Sequence, residues 1–243
     1  TQSMPYEDAW SKAIEHTHQA LSLDEHSAGA YYQLANISFF TEFDFQGAFK
    51  HSSKAVDCDP TYPEGLQFLA FLHMVYGSMA IARQFLDRAL DRDPLNQETL
   101  FYQAYYRYRQ GHLKESQSLL ESLINRNPEN LPAIVTLSYI QLKLGKASEL
   151  LALLKSETGA KITPGDALGL ECLALLFTGN PDFDAKFDQL KAEAQEPFNY
   201  QQHSYFFLCL IHLGEFDEAF AWLDICLEMK SAIIQLSFSR GYS

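Results

Sequence analysis

Gly77-Ser78-Met79-Ala80-Ile81-Ala82-Arg83-Gln84-Phe85-Leu86-Asp87-Arg88-Ala89-Leu90-Asp91-Arg92-Asp93-Pro94 is the stretch that decides the fold. Apolar residues recur at three- and four-residue spacing through Ala82, Phe85-Leu86 and Ala89-Leu90, the period of a helix with one buried face. Gly77 stands where a preceding helix must stop and reverse, because glycine accepts the left-handed backbone without a Cβ penalty. Pro94 ends the following helix, since it lacks an N–H and pushes Asp93 out of helical geometry. The same signals return on either side. Pro60, Pro94 and Pro128 each follow Asp or Asn and are spaced by 34 residues. Leu69-Ala70, Gly77, Ala82, Leu86 and Ala89-Leu90 correspond to Ala104, Gly111, Ser116, Leu120 and Leu123 downstream. Upstream they correspond to Leu34-Ala35, Ala48 and Ala55, with one extra residue in the turn Glu42-Phe43-Asp44-Phe45. Small residues at Ala48, Ala82 and Ser116 let two helix axes approach to about 8 Å. No stretch alternates with a period of two, so no sheet is expected.

A helix–turn–helix unit of this length, with these small residues, turn glycine and terminal proline, resembles the tetratricopeptide repeat. The resemblance implies an all-α fold, a right-handed α-solenoid (superhelix) in which each hairpin buries its apolar face on the next. A single array is expected over 1–243, opening with a partial repeat at 1–27 in which Ala13 and Ala20 mark the second helix. Regular repeats follow at 29–62, 63–96, 97–130 and 131–160. Divergent repeats are expected at 164–197, where the Asn180-Pro181 turn is unusual, and at 199–230, with a capping tail at 231–243. The irregular stretch Lys155–Thr163 is expected to form a bend. Beginning at Thr1 in mid-repeat, the array reads as a fragment.

Composition limits the function. Eighteen Lys and Arg against 31 Asp and Glu leave a formal charge of −13, which repels phosphate backbones and disfavours direct nucleic-acid binding. Hydrophobic residues at 47% and charged residues at 20% mark a globular chain. The apolar runs Leu69–Val75 and Phe206–Ile211 fall short of the roughly 18 residues a membrane helix needs. Cys58, Cys172, Cys209 and Cys226 show no CxxC spacing and read as small apolar residues in a reducing compartment, which points to the cytoplasm. The eight histidines form no HExxH pair, and there is no glycine-rich phosphate loop. No catalytic constellation, metal site or cofactor is therefore expected, and the chain reads as a non-enzyme.

The resemblance also implies where partners bind. In the family the first helix of each repeat lines a concave groove through its second, fifth, ninth, twelfth and thirteenth positions. These fall here on Tyr32, Asn36, Phe39 and Phe40; on Glu64, Gln67, Phe71, Met74 and Val75; on Glu98, Phe101, Tyr105, Tyr108 and Arg109; and on Pro132, Val135, Tyr139, Leu142 and Lys143. The candidate partner-binding residues are Tyr32, Asn36, Phe39, Phe71, Met74, Phe101, Tyr105, Tyr108, Arg109, Tyr139 and Lys143. Aromatic side chains supply large contact area at low entropy cost, so an extended or helical peptide could lie on them. Repeats that hold chaperone carboxylate tails use Lys and Asn at the fifth and ninth positions, and only Asn36 matches that pattern.

Glu42-Phe43-Asp44-Phe45-Gln46-Gly47-Ala48, Lys54–Pro60 and Ala89–Leu95 resemble one group of bacterial arrays with an aromatic-Asp-aromatic turn. This chain carries Phe43 and Phe45 where Trp is common. Such arrays often follow a winged-helix DNA-binding, nucleotide-cyclase or kinase domain. The resemblance implies a protein- or peptide-binding scaffold in the regulatory part of a bacterial transcriptional regulator. The alternatives are the regulatory segment of a cyclase or kinase, or a module that forms homodimers.

Overall fold

The computed structural model describes residues 6–42, 44–196 and 199–228. The expected capping tail at 231–243, and Phe43 of the aromatic turn, lie outside the described residues. Thirteen α-helices follow one another among the described residues, and no strand occurs there. They are α1 (Tyr6–Leu23), α2 (Ala28–Ile37), α3 (Phe45–Cys58), α4 (Pro63–Val75), α5 (Met79–Arg92), α6 (Gln97–Arg109) and α7 (Leu113–Arg126). Then come α8 (Leu131–Lys143), α9 (Ala147–Leu154), α10 (Pro164–Thr178), α11 (Phe183–Glu193), α12 (Tyr200–Leu213) and α13 (Phe216–Glu228). The fold is all-α, a solenoid of helical hairpins. No described helix is long and apolar enough to cross a membrane.

The turns form as the sequence dictates. Gly77, Gly111, Gly145, Gly179 and Gly214 all have positive φ, between 61° and 80°. A Cβ at any of them would meet nothing within 4 Å, so glycine is required by backbone conformation and not by crowding. At Gly77 the chain closes with Ser78 N–H donating to the His73 carbonyl at 2.8 Å, a helix-ending bond made possible by the left-handed residue. Between hairpins, Asp59, Asp93 and Asn127 are extended (φ −138°, −144° and −137°), as residues preceding proline must be. Each side chain accepts from the N–H two residues on, at Thr61 (2.8 Å), Leu95 (3.0 Å) and Glu129 (3.1 Å). Asn180 does the same for Asp182 at 2.9 Å, so the unusual Asn-Pro pair is this local turn reused within a hairpin.

Contact density divides the chain into two compact units, Thr1–Gln103 and Ala104–Ser243. The division falls inside α6. The irregular stretch 155–163 instead holds a short 3₁₀ turn at Gly159–Lys161.

In the first unit, α2 packs on α3 and α4 on α5 through Ala48, Ala55, Ala82 and Ala89, all fully or almost fully buried. The extra residue near Glu42 is absorbed by a widening of the helix, because Ser38–Glu42 is π-helical. Asp44 then caps α3, accepting from Gly47 N–H at 2.8 Å.

In the second unit, Ser116 replaces alanine at the crossing and donates its hydroxyl to the Ala104 carbonyl at 2.7 Å, which leaves no stranded polar atom. The core gathers Ile134, Leu150, Leu170, Cys172, Phe206, Cys209 and Trp222. Helices α10 and α12 lie close because Gly165 and Gly169 give α10 a face without side chains. A Cβ on Gly165 would collide with Gln202, and one on Gly169 with the Tyr205 ring.

Candidate functional site

In the first unit the first helices of successive hairpins are α2, α4 and α6. Several of the residues expected to face a partner are instead core. Phe39 is fully buried and edges onto Phe40, Phe45, Phe68 and Phe71 at 4.8–5.9 Å. It sits within the π-helical stretch Ser38–Glu42, surrounded by rings of α3 and α4. Phe71, at 7% exposure, stacks on Phe68 at 5.8 Å, and Met74 is wholly enclosed. These side chains pack the layer together.

Other residues of these faces stay accessible. Tyr32, Asn36 and Phe101 are partly exposed. Tyr62, just before α4, joins them, its ring 6.1 Å from Tyr32 in an edge-on pair. The Tyr62 hydroxyl reaches over the start of α2, close enough that a Cβ on Gly29 would lie 3.6 Å from it. Glu64 and Glu98 occupy the first turns of α4 and α6. Between those turns, Gln67 donates through Nε2 to Thr99 Oγ1 at 2.7 Å and to Asn96 Oδ1 at 3.1 Å, while its Oε1 is buried without a partner.

The electrostatics follow from this crowding. Burial pushes the Tyr62 phenol up to about 12, with Glu64, Tyr32, Asp59 and Glu98 adding to the shift. Burial also raises Tyr32, against the lowering effect of its hydrogen bond with Asn36, and Glu98 and Glu64 raise it further. Glu98 is itself raised, first by desolvation and then by the charge of Glu64. Each shift favours a neutral site over one crowded with negative charge.

In the second unit, Tyr105, Tyr108 and Tyr139 are buried at 6%, 4% and 8% exposure. The Tyr139 ring stacks flat on Tyr205 (6.0 Å, 4°), and the Tyr205 hydroxyl donates to Asp166 Oδ1 at 2.9 Å. Gly169 leaves the space in which Tyr205 reaches across α10. Of the two expected cations, Lys143 is exposed and lies over the Tyr108 ring at 5.4 Å, while Arg109 is partly exposed with one buried, unpartnered guanidinium nitrogen, Nη1. Burial lowers Lys143, and the charge of Arg109 adds to this. His212 is lowered by burial and then by Lys143, which places these cations in one cluster.

Three of the four cysteines lie inside the core. Cys172, Cys209 and Cys226 are buried, and burial pushes the Cys226 thiol up to about 12. Cys209 is raised by its hydrogen bond with Cys172 and by burial. Such thiols are weak nucleophiles. Sequence reasoning passed over Tyr62, which lies between helices; it placed Gln67 on the groove face but not its bond to Thr99 or its open acceptor. The signal for Glu64 and Glu98 was present, since both hold the second position of consecutive repeats.

Hairpins of this length, in this register and with these faces, define the tetratricopeptide-repeat fold class. Three solved structures of that build illustrate the match. TTC0263, a thermophilic tetratricopeptide-repeat protein of Thermus thermophilus, superposes with a TM-score of 0.62 at 20% identity, over 76% of this chain and 100% of its own. PilW, a type IV pilus biogenesis factor, also gives 0.62, at 18% identity over 79% and 90% of the two chains. Pseudomonas aeruginosa PilF gives 0.55, at 16% identity over 88% and 98%. At these identities the likeness is one of fold. No protein-family model matches the chain, and no curated protein matches it.

Proposed function

We propose that this chain is a non-enzymatic scaffold that holds a segment of a partner protein on the first-helix faces of its hairpins. The observation that carries the reading is a division of labour along those faces. Phe39, Phe71 and Met74 are consumed by the core, whereas Tyr32, Tyr62 and Phe101 stay partly exposed beside Glu64 and Glu98. Partly exposed aromatic side chains on a rigid helical frame suit peptide recognition, because little entropy is lost when they are covered.

The finer reading makes the array the regulatory part of a bacterial transcriptional regulator. It rests on the resemblance carried by Glu42–Pro60 and Ala89–Leu95. Cyclase or kinase regulation and self-association are the competing outcomes. The decisive experiment selects a peptide that binds the purified chain, then measures its affinity for Tyr32→Ser/Phe101→Ser. A loss of about tenfold or more, with unchanged helical circular dichroism, supports the reading; tenfold is about 1.4 kcal/mol. Unchanged affinity overturns it. Light scattering separates self-association from partner binding.

A further inference from the structure

The first turns of α4 and α6 bring together two carboxylates, two tyrosine rings and a stranded amide oxygen. Glu64 and Glu98 sit at the same point of consecutive hairpins, and Gln67 ties the two turns together through Thr99 and Asn96. Neither carboxylate takes part in an ion pair among the described residues. Tyr32 and Tyr62 pair edge-on at 6.1 Å, and Tyr32 also edges onto Phe68 at 5.9 Å, which fixes the Tyr32 ring. Gln67 is 1% exposed, and its Oε1 lies in the same seam as the Nε2 that joins the two turns, with no donor to satisfy it.

A helix N-terminus favours a carboxylate, and this accounts for one acid per helix. It does not account for a second acid near enough that Glu64 opposes the ionisation of Glu98, beside phenols whose own ionisation the two suppress. Nor does it account for a buried acceptor left open, which folded proteins ordinarily avoid. The inventory is two carboxylates, an open amide oxygen, and two tyrosine rings with their hydroxyls. A cationic donor is the class of group that suits the carboxylates and the ring faces together. Carboxylates take a guanidinium in paired hydrogen bonds, and tyrosine rings attract a cation at close range. The formal charge of −13 draws basic segments toward the chain in general, and this seam gives such a segment a specific seat.

We propose that the seam between the first turns of α4 and α6 is a receptor site for a basic side chain of a partner polypeptide, an arginine above all. Glu64 and Glu98 hold its charge, and Tyr32 and Tyr62 cover its stem and flank its planar head. This deepens the reading of the first-helix faces as a protein-binding surface and rests on it for the partner's class. The site differs from the chaperone-tail pattern, which recognises a carboxylate through Lys and Asn.

The test uses a blocked amino acid, so that it does not depend on any peptide binding along a longer surface. Acetyl-arginine-methylamide is titrated into the full chain while tyrosine side-chain resonances are followed by NMR, with acetyl-citrulline-methylamide as its neutral isostere. The site predicts saturable shifts at Tyr32 and Tyr62 with arginine, at least about fivefold weaker binding with citrulline, and loss of the shifts in Glu64→Gln/Glu98→Gln; fivefold is about 1 kcal/mol. It also predicts weakening as salt rises, as for any solvent-reached ion pair. Equal binding of citrulline, full binding by the double variant, or no shift at Tyr32 and Tyr62 overturns the site. Each of those results leaves the wider scaffold reading to the selected-peptide experiment above. Preferential binding of calcium by Glu64 and Glu98, with arginine excluded, would also overturn it.

Discussion

Gly169→Ala should destabilise the protein, although the same replacement in an unconstrained helix interior is worth up to about 1 kcal/mol in its favour. The added methyl would overlap the Tyr205 ring. Tyr205 is 1% exposed and cannot swing into solvent. To make room it must leave its stack on Tyr139, worth about 0.5–1.5 kcal/mol, and strain its buried hydrogen bond to Asp166, worth about 1–3 kcal/mol if broken. Against the helix-propensity gain, a net loss of about 2 kcal/mol is expected, the size of a typical overpacking defect. For a chain of this length that lowers the melting temperature by about 4–8 °C. The assay is thermal and urea unfolding followed by far-ultraviolet circular dichroism. Gly29→Ala is the control, because its Cβ would find only the Tyr62 hydroxyl at 3.6 Å, an ordinary contact. Combining Gly169→Ala with Tyr205→Leu should lose less than the sum of the two, since both act on one space. A Gly169→Ala protein melting at or above the parent would refute the packing of Tyr205 across α10.

Three further outcomes are expected. Glu98 is raised from its ordinary value of 4.5 by desolvation and by Glu64, so the fold loses stability as pH rises through the raised value; Glu98→Gln should therefore be more stable at pH about 7, with the gain vanishing once both states are protonated. His51, His73, His203 and His212 are all held below 6.5 by burial first, so the stability they protect is complete above that pH and declines as pH falls through their folded values. Urea midpoints measured from pH about 7.5 down to about 5 should fall, and fall less in His203→Gln. Of the four thiols only Cys58 is partly exposed, so a thiol reagent should label it fast and the other three at the rate of unfolding; rapid labelling of Cys172 or Cys209 would contradict their burial.

The hairpins were legible because their signals are local. A proline after Asp or Asn, a glycine at a reversal and an alanine at a crossing each act within a few residues, and the structure uses Pro94, Gly77 and Ala82 in those roles. The site was less legible because helix position tells which side a residue faces, not what arrives there from elsewhere. Phe71 and Tyr139 do lie on first helices, yet neighbouring rings cover both. Tyr139 meets Tyr205 only because two glycines one helical turn apart open α10, and a glycine pair inside a helix is the clue sequence reading could have used. Phe39 turns into the core within a π-helical stretch whose extra residue was visible near Glu42, although its effect on helix phase was not.

The central claim, that the first-helix faces hold the partner, is tested most directly by hydrogen–deuterium exchange of the full chain with and without a peptide selected to bind it. Slowed exchange should concentrate in the first turns of α4 and α6 and in α2 around Tyr32. Protection confined to the second helices α3 and α5, with α2, α4 and α6 unchanged, would contradict it.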